Sequence, residues 1–367
     1  MRLRRGILLG FGVAVMALAP ARAAEPIKIG IILPYAPPFR LYAKSLETAM
    51  RMALSEHGSK VAGRPITLIF ENDENKPPQA IAKAEKLTSG NKVDVLIGGL
   101  ASNLAIPIAP IATRTRTPLI VVNGGADMLT GKRCSPWVLR VSFSNDQMIR
   151  DSGNWIFRQG YKTADVMAPD YVGGRTVITS FKKAYIKAGG KIVGESYAPF
   201  RTKDFRPYLA QAKAAKPDTI YAFFPGSMGI QFVIQYNKLG LRQQIPLTGP
   251  AWTVSPLIIG KQGMAAVGFK GPINYVPGLD NAANKKFRAA FKKRTGRDPD
   301  EVTVNGYDAI QIAVGALKKL GGKTSDKKAI MAAMRRVRYN GPRGPMRIDP
   351  RTNNIIQNIY MVEVENV

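Results

Sequence analysis

Short apolar runs alternate with amphipathic stretches along almost the whole chain, and this alternation limits the possible folds more than any other feature. The first run, Ile27 to Leu33, reads IKIGIIL and predicts a strand buried on both faces, which Pro34 ends. Residues 41–57 follow with apolar side chains at helical spacing. Because strands that alternate with helices pair in parallel, the sequence predicts an α/β fold with helices on both faces of a sheet.

The same alternation continues and then starts again after about residue 144. Further predicted strands are 65–70, 93–97, 118–122, 163–168, 191–197 and 219–224. Further predicted helices begin at Pro77–Pro78 and near Asn103, cover 145–160, 174–188, 204–215 and 228–239, and return over 281–337. The last segment, Arg347 to Val367, predicts strand and loop. Two α/β units of similar length indicate two similar lobes.

Residues 1–23 predict a secretory signal peptide. Arginines near the start precede an apolar run from Ile7 to Leu18, and Ala21-Arg22-Ala23 supplies the small-x-small site for signal peptidase. A membrane anchor needs roughly 20 apolar residues, which this run does not supply. We therefore expect an exported, periplasmic protein that begins near Ala24.

Cysteine and histidine content disfavours most catalytic and metal chemistry. Cys134 is the only cysteine and His57 the only histidine, so stability must come from packing rather than from an internal disulfide. Metal sites built on His or Cys, Ser/His/Asp triads and Cys/His pairs are disfavoured. No pair of acids stands out, and neither Gly30 nor Gly98-Gly99 extends to the dinucleotide motif of a dehydrogenase. We expect no enzyme, no cofactor and no metal.

The chain is strongly basic, with 54 Lys plus Arg against 25 Asp plus Glu and a formal charge of +29. Four arginines precede the predicted cleavage site, so 50 basic and 25 acidic residues remain after it, a charge near +25. Such a charge favours small anions, polyanions or anionic head groups. The basic residues are scattered and form no nucleic-acid-binding motif, so we expect no nucleic-acid partner. Because copies of the chain repel one another, we expect a monomer.

Loops at the carboxyl ends of the predicted strands are candidates for ligand binding, because open parallel sheets bind ligands at that edge. Several of these loops are rich in glycine, aromatic or hydroxyl-bearing residues: Pro34-Tyr35, Gly98 to Asn103, Asn123 to Gly125, Pro169 to Tyr171, Phe224 to Ser227 and Gly249 to Trp252. Two lobes that present such edges to each other form a cleft.

The order of motifs resembles the type I periplasmic solute-binding proteins of the branched-chain amino acid (leucine-binding protein) class, the receptor components of ABC importers. The resemblance covers residues 26–365 and rests on IKIGIILP, Glu71-Asn72-Asp73 before Pro77–Pro78, VLIGGLASN, TPLIVVNGGA, PDYVGG, DTIYAFFPGS, LTGPA and Asn305 to Ala309. It implies two Rossmann-like lobes joined by three hinge strands, with an N-terminal lobe of 26–143 plus 274–343 and a C-terminal lobe of 144–273 plus 344–367. It also implies an ABC permease in the inner membrane as partner.

The resemblance also implies a binding site for a small, anionic solute. Ser102 matches the hydroxyl that holds the ligand carboxylate, and it stands at the predicted N-cap of a helix that starts near Asn103, where free N–H groups favour an anion. Asn123, Gly124 and Gly125 match the facing loop. Tyr42 and Tyr171 match aromatic positions that close over the ligand, one from each lobe.

One departure from the amino acid binders bears on the ligand. In those proteins an acidic residue pairs with the ligand ammonium. Ala251 takes the place of that acid here, with Trp252 beside it. Without the acid a buried ammonium would stay unpaired, which costs several kcal/mol. Further candidates for apolar walls are Phe224, Tyr275, Phe39 and Tyr35. This pattern favours an aromatic or apolar acid. Glu195 or Asp170 could supply the acid instead, and a branched-chain amino acid or amide ligand therefore remains an alternative. A role as a ligand sensor is a further alternative.

Overall fold

The computed structural model describes residues 25–131 and 134–367. Within them the strands are, in chain order, β1 (Ile27–Leu33), β2 (Lys60–Val61), β3 (Arg64–Asn72), β4 (Val95–Gly98), β5 (Leu119–Val121), β6 (Val138–Arg140), β7 (Thr163–Pro169), β8 (Lys191–Ala198), β9 (Thr219–Ala222), β10 (Leu247–Thr248), β11 (Lys270–Ile273), β12 (Arg338–Gly341), β13 (Gly344–Ile348), β14 (Ile355–Ile356) and β15 (Tyr360–Glu363).

The α-helices that connect these strands are α1 (Arg40–Glu56), α2 (Pro77–Glu85), α3 (Ser102–Arg114), α4 (Asn145–Ile149), α5 (Ser152–Arg158), α6 (Val172–Lys187), α7 (Arg206–Ala215), α8 (Ser227–Lys238), α9 (Ile259–Gln262), α10 (Ala282–Thr295), α11 (Glu301–Lys319) and α12 (Lys327–Arg335). A short 3-10 helix, Ala251–Val254, follows β10.

The first lobe is built on a six-stranded sheet of order β2-β3-β1-β4-β5-β6. All its pairings are parallel except β2 with β3. The central strands β1 and β4 are almost completely buried, because helices cover both faces. The neighbours of β1, namely β3 and β4, lie on opposite sides of it, and this reversal opens a crevice at the carboxyl ends of the strands.

The second lobe repeats the arrangement with a sheet of order β15-β11-β10-β9-β7-β8. Only β15 runs antiparallel, against β11. A separate core of buried apolar side chains lies around this sheet. The two α/β lobes, each with a sheet of mainly parallel strands between helices, confirm the predicted fold class.

The chain passes between the lobes between β6 and α4, between β11 and α10, and between β14 and β15. The small sheet β12-β13-β14 lies beside these crossings, and Met346, Ile348 and Ile355 from it belong to the core of the first lobe. The lobe boundaries expected from the sequence stay a prediction.

Local structure departs from the sequence-based expectation at residues 145–160. One helix was expected there, but α4 ends at Ile149 and α5 begins at Ser152. The Ser152 hydroxyl donates a 2.8 Å hydrogen bond to the Ile149 carbonyl across the break. The apolar spacing persists through the break, and for this reason the pattern did not reveal it.

The predicted signal peptide, residues 1–23, lies outside the described residues. In the described part of the chain, no helix combines the length and the apolar character needed to span a bilayer.

Candidate functional site: a cavity between the lobes

A cavity lies between the two lobes where the carboxyl ends of their strands face each other. Seven residues that the sequence singled out line it: Tyr42, Ser102, Asn123, Gly124, Gly125, Tyr171 and Trp252. Phe39, named as a possible wall, lines it too. The topology explains this gathering, since these residues follow strands of the two sheets or begin the helices after them.

One end of the cavity is suited to an anion. The cap residue of α3 is Ala101, which offers no side-chain acceptor, so the first N–H groups of the helix receive no side-chain cap. Ser102 is therefore the first helical residue rather than the N-cap that the sequence suggested. Its Oγ accepts a 3.1 Å hydrogen bond from the Ala126 N–H, which leaves its own proton free to be donated to a ligand. Helix N–H groups and a hydroxyl donor together favour a carboxylate.

The loop Asn123 to Ala126 forms the facing wall and is held from behind by Arg140. The Arg140 guanidinium is completely buried and donates to the carbonyls of Gly124 (3.1 Å) and Ala126 (2.9 Å). Burial lowers the pKa of Arg140 to about 9, and Asp127 partly opposes this effect. The carbonyls thus point away from the cavity, toward Arg140, and the loop is fixed without a ligand.

Gly125 allows a close approach that no other residue type would permit. A Cβ at this position would overlap the side-chain oxygen of Asn145, another residue of the cavity. The Asn145 N–H donates a 2.7 Å hydrogen bond to the Gly125 carbonyl. The glycine therefore lets the chain that enters the second lobe pack directly against the anion end of the cavity.

Asn123 connects this loop to the long helix α11. Its amide nitrogen donates to the Leu100 carbonyl (3.0 Å), and its oxygen accepts from Asn305 (3.3 Å). The side chains of Asn123 and Asn305 therefore hold the loop after β4 against α11. Asn123 lines the cavity with its polar groups already paired.

Aromatic rings form the body of the cavity. Trp252 stacks on Phe143 with ring centres 4.4 Å apart, and Phe223 meets Trp252 edge-on at 5.6 Å. Tyr171 packs against Phe200, 4.9 Å away, which in turn contacts Phe39 of the first lobe. Flat apolar walls from both lobes are suited to a planar ring between them.

The lobes touch beside the cavity, so the structure is closed. The Tyr42 hydroxyl of the first lobe accepts a 3.3 Å hydrogen bond from the Gly226 N–H of the second. Gly226 has φ +57°, and a Cβ there would overlap the Pro38 carbonyl oxygen. Burial and the nearby Glu301 raise the pKa of Tyr42, so its hydroxyl stays protonated.

Glu301 is a cavity residue that sequence reasoning missed. It is completely buried at the start of α11, and its Oε2 accepts a 2.8 Å hydrogen bond from the Ser255 hydroxyl of the other lobe. Burial, together with the neighbouring Asp300, raises the pKa of Glu301 to about 8. In the sequence, Asp300-Glu301 before an apolar helix is typical of a helix N-terminus, and Asp300 does cap α11. Because helix capping accounts for this acidic pair, the sequence did not indicate Glu301 as a cavity residue.

Other lining residues that the sequence did not single out are Phe143, Asn145, Phe223 and Val302. Pro225, which also lines the cavity, lies in the predicted loop Phe224 to Ser227. Phe223 stands inside the DTIYAFFPGS motif, so adjacency was the available signal there.

Three predicted residues lie away from the cavity. Phe224, two residues after β9, packs in the second-lobe core, where it contacts Phe205 and Phe232. Tyr275 is buried against Phe287, and its hydroxyl donates to Asn284 (2.8 Å). Asn103 follows Ser102 on α3 but does not line the cavity.

The residues considered as alternative acids or walls are also engaged elsewhere. Asp170 pairs with Arg175 (2.7 Å), and Glu195 pairs with Lys182 (2.5 Å), both at the surface. The Tyr35 hydroxyl donates to Glu47 (2.6 Å). Ala251 is buried next to Trp252 and brings no charge to the site. Glu301 is the acidic residue among the described residues that line the cavity.

Comparison with known proteins agrees with this architecture. The chain matches the periplasmic binding protein family over residues 26–366 and belongs to that family. The Leu/Ile/Val-binding protein homolog 6 of Brucella melitensis is 29% identical over 358 residues, which cover 96% of this chain and 91% of that protein. The family and the similar solved structures are substrate-binding proteins of transporters, not enzymes.

Two solved structures are similar over nearly the full length. An ABC transporter solute-binding protein from R. palustris, in complex with benzoate, is 33% identical with a TM-score of 0.89, covering 92% of this chain and 93% of that one. Another, from Rhodopseudomonas palustris BisB5 in complex with 3,4-dihydroxybenzoic acid, is 34% identical with a TM-score of 0.89, covering 93% and 94%. A leucine-binding protein from Thermotoga maritima MSB8 shares the fold at 23% identity, with a TM-score of 0.84 over 93% and 96%.

Proposed function

We propose that this chain is the periplasmic receptor of an ABC importer and that it captures an aromatic carboxylate between its lobes. The observation that carries the proposal is the pairing of an anion end, formed by Ser102 and the uncapped start of α3, with flat walls formed by Trp252 and its neighbours. A carboxylate binds at the first and a ring lies against the second.

The relatives support this ligand class. The two structures at 33% and 34% identity hold benzoate and 3,4-dihydroxybenzoic acid. Their ligands combine one carboxylate with one planar ring, which is the combination that the cavity here is suited to bind.

Closure supplies the signal for transport. A ligand that touches both lobes binds the closed form better than the open form and therefore shifts the population toward closure. In this proposal the permease binds the closed receptor and takes up the unchanged solute. The signal peptide predicted for residues 1–23 supports a periplasmic location for the receptor.

An amino acid ligand is the second candidate, and Glu301 is the observation that favours it. An ionised Glu301 could pair with a ligand ammonium. Burial opposes this, since it holds the carboxyl in its neutral form at pH 7. We therefore place the aromatic carboxylate first.

Isothermal titration calorimetry on protein freed of ligand by unfolding and refolding tests the proposal. We expect benzoate to bind at least about 100-fold tighter than leucine, because a buried, unpaired ammonium would cost several kcal/mol. Tighter binding of leucine would reject the aromatic carboxylate. Conversion of either compound by the purified protein would reject the receptor role.

A further inference from the structure

Two buried polar atoms on the cavity wall have no partner among the described residues. One is Glu301 Oε1 and the other is Trp252 Nε1. Trp252 lies against the ring of Phe143 and Glu301 is completely buried, so an unpaired donor or acceptor is costly at both places. The indole N–H can only donate, whereas a carboxyl group can accept and, when protonated, donate. Because both residues line the cavity, it carries polar groups beyond its anion end.

The carboxyl group of Glu301 is fixed in its orientation. The Ser255 hydroxyl, 2.8 Å from Oε2, holds one oxygen from the opposite lobe, so Oε1 remains for a ligand. Asn305 lies four residues further along α11 and reaches the Asn123 loop at the anion end. Glu301 therefore lies about one helical turn before the residue of α11 that meets the anion end.

The charged and titratable groups around Glu301 determine what it can bind. Asp300 precedes it on the same helix and disfavours a second negative charge, whereas Arg297 acts in the opposite direction. Tyr42 faces it from α1, and Ser255 faces it from the second lobe. Burial is the largest effect and keeps the carboxyl neutral at pH 7. A neutral carboxyl group complements a hydroxyl, whereas an ammonium requires the ionised form.

We propose that Glu301, oriented by Ser255, and the indole N–H of Trp252 recognise a hydroxyl group on the ring of an aromatic carboxylate. This assignment rests on the proposed function and makes it more specific. The chain then selects hydroxylated aromatic acids over unsubstituted ones, because benzoate leaves both polar atoms unpaired.

The test is the ratio of affinities for hydroxybenzoate and benzoate, measured by calorimetry with the 3-hydroxy and 4-hydroxy isomers. The full-length mature protein should bind one of the isomers at least about tenfold tighter than benzoate, since pairing a buried polar group is worth about that factor. Glu301→Leu should reduce the ratio to about one. Glu301→Gln should retain a ratio above one, because an amide still donates and accepts.

Two further variants complete the test, one for the indole N–H and one as a control for nonspecific effects of substitution. Trp252→Phe keeps a ring but removes the N–H, and it should also lower the ratio. Glu365→Leu alters an exposed acid near the C-terminus and should keep the ratio of the unaltered protein. A ratio that survives in Glu301→Leu would overturn the assignment.

The outcomes separate this inference from the proposed function. Binding of benzoate with a ratio of about one overturns the role of Glu301 and Trp252 but leaves the aromatic carboxylate receptor intact. Failure to bind any of the three acids overturns both. Tight binding of leucine that Glu301→Gln abolishes would assign Glu301 to an ammonium and overturn both as well.

Discussion

Arg343 Nε lies 2.8 Å from Asp308 Oδ2, and both side chains are completely buried. The same guanidinium donates to the carbonyls of Val141 (2.6 Å) and Ser142 (3.2 Å), where the chain leaves the first sheet for the second lobe. Tyr339 adds a hydrogen bond to Asp308. This buried ion pair therefore ties α11 to the segment after β6 that connects the two lobes.

Breaking that pair should destabilise the protein strongly. Arg343→Met leaves the Asp308 carboxylate buried without its partner, which costs about 3–5 kcal/mol. Urea denaturation should show the loss as a lower midpoint. Arg206→Met, which removes a fully exposed pair with Asp204, is the control and should have little effect. A similar, small effect of both substitutions would show that the buried pair does not hold the crossing.

Ser102→Ala should weaken benzoate binding by about tenfold without unfolding the protein, since one hydrogen bond to a charged group is lost. Calorimetry measures the affinity, and circular dichroism checks the fold. Thr113→Ala, at the other end of α3, is the control and should bind normally. An unchanged affinity in Ser102→Ala would remove this hydroxyl from the site.

Trp252 should report ligand binding through its fluorescence. An aromatic carboxylate that stacks in the cavity should change the emission saturably, and leucine should change it little, because only a planar ring contacts the indole face. Trp252→Phe should lose the response, whereas Trp155→Phe, on α5, should keep it. A response to leucine alone would contradict the aromatic walls.

Closure should be coupled to proton uptake through Glu301. In the open form, water reaches the carboxyl and its pKa is ordinary, whereas in the closed form burial raises it to about 8. At pH 7 the closed form therefore binds more protons than the open form, and affinity should fall as pH rises toward 8. Tyr42 and Ser255, which face the group, stay protonated throughout this range.

Calorimetry in two buffers of different ionisation enthalpy measures this uptake. Glu301→Gln should abolish it and flatten the pH dependence of affinity. Binding without proton uptake in the unaltered protein would mean that Glu301 stays ionised in the closed form.

The order of strands and helices could be predicted from the sequence because apolar spacing is a local property. Ile27 to Leu33, for example, forms a strand with the predicted bounds. The break between Ile149 and Ser152 was missed, since the apolar spacing continues through it. The predicted N-cap at Ser102 was wrong by one residue: Ala101 is the cap residue of α3, and the Ser102 hydroxyl accepts from the Ala126 N–H.

The candidate site could be predicted only where a local motif marks it. Ser102 and the Asn123 loop follow strands and bear recognisable signals. Glu301 could not be found this way, because its place on the cavity depends on two lobes meeting and on Ser255, 46 residues away, donating across the cleft. Phe224 was predicted in place of its neighbour Phe223, because the sequence does not show which of two adjacent rings after a strand faces the cavity.

Small-angle X-ray scattering of the ligand-free and benzoate-saturated protein tests the central claim most directly, namely that two lobes close over an aromatic carboxylate. The account predicts that benzoate lowers the radius of gyration and the maximum dimension, and that leucine at the same concentration does not. An unchanged scattering profile with benzoate and its hydroxylated forms, or closure by leucine alone, would contradict it.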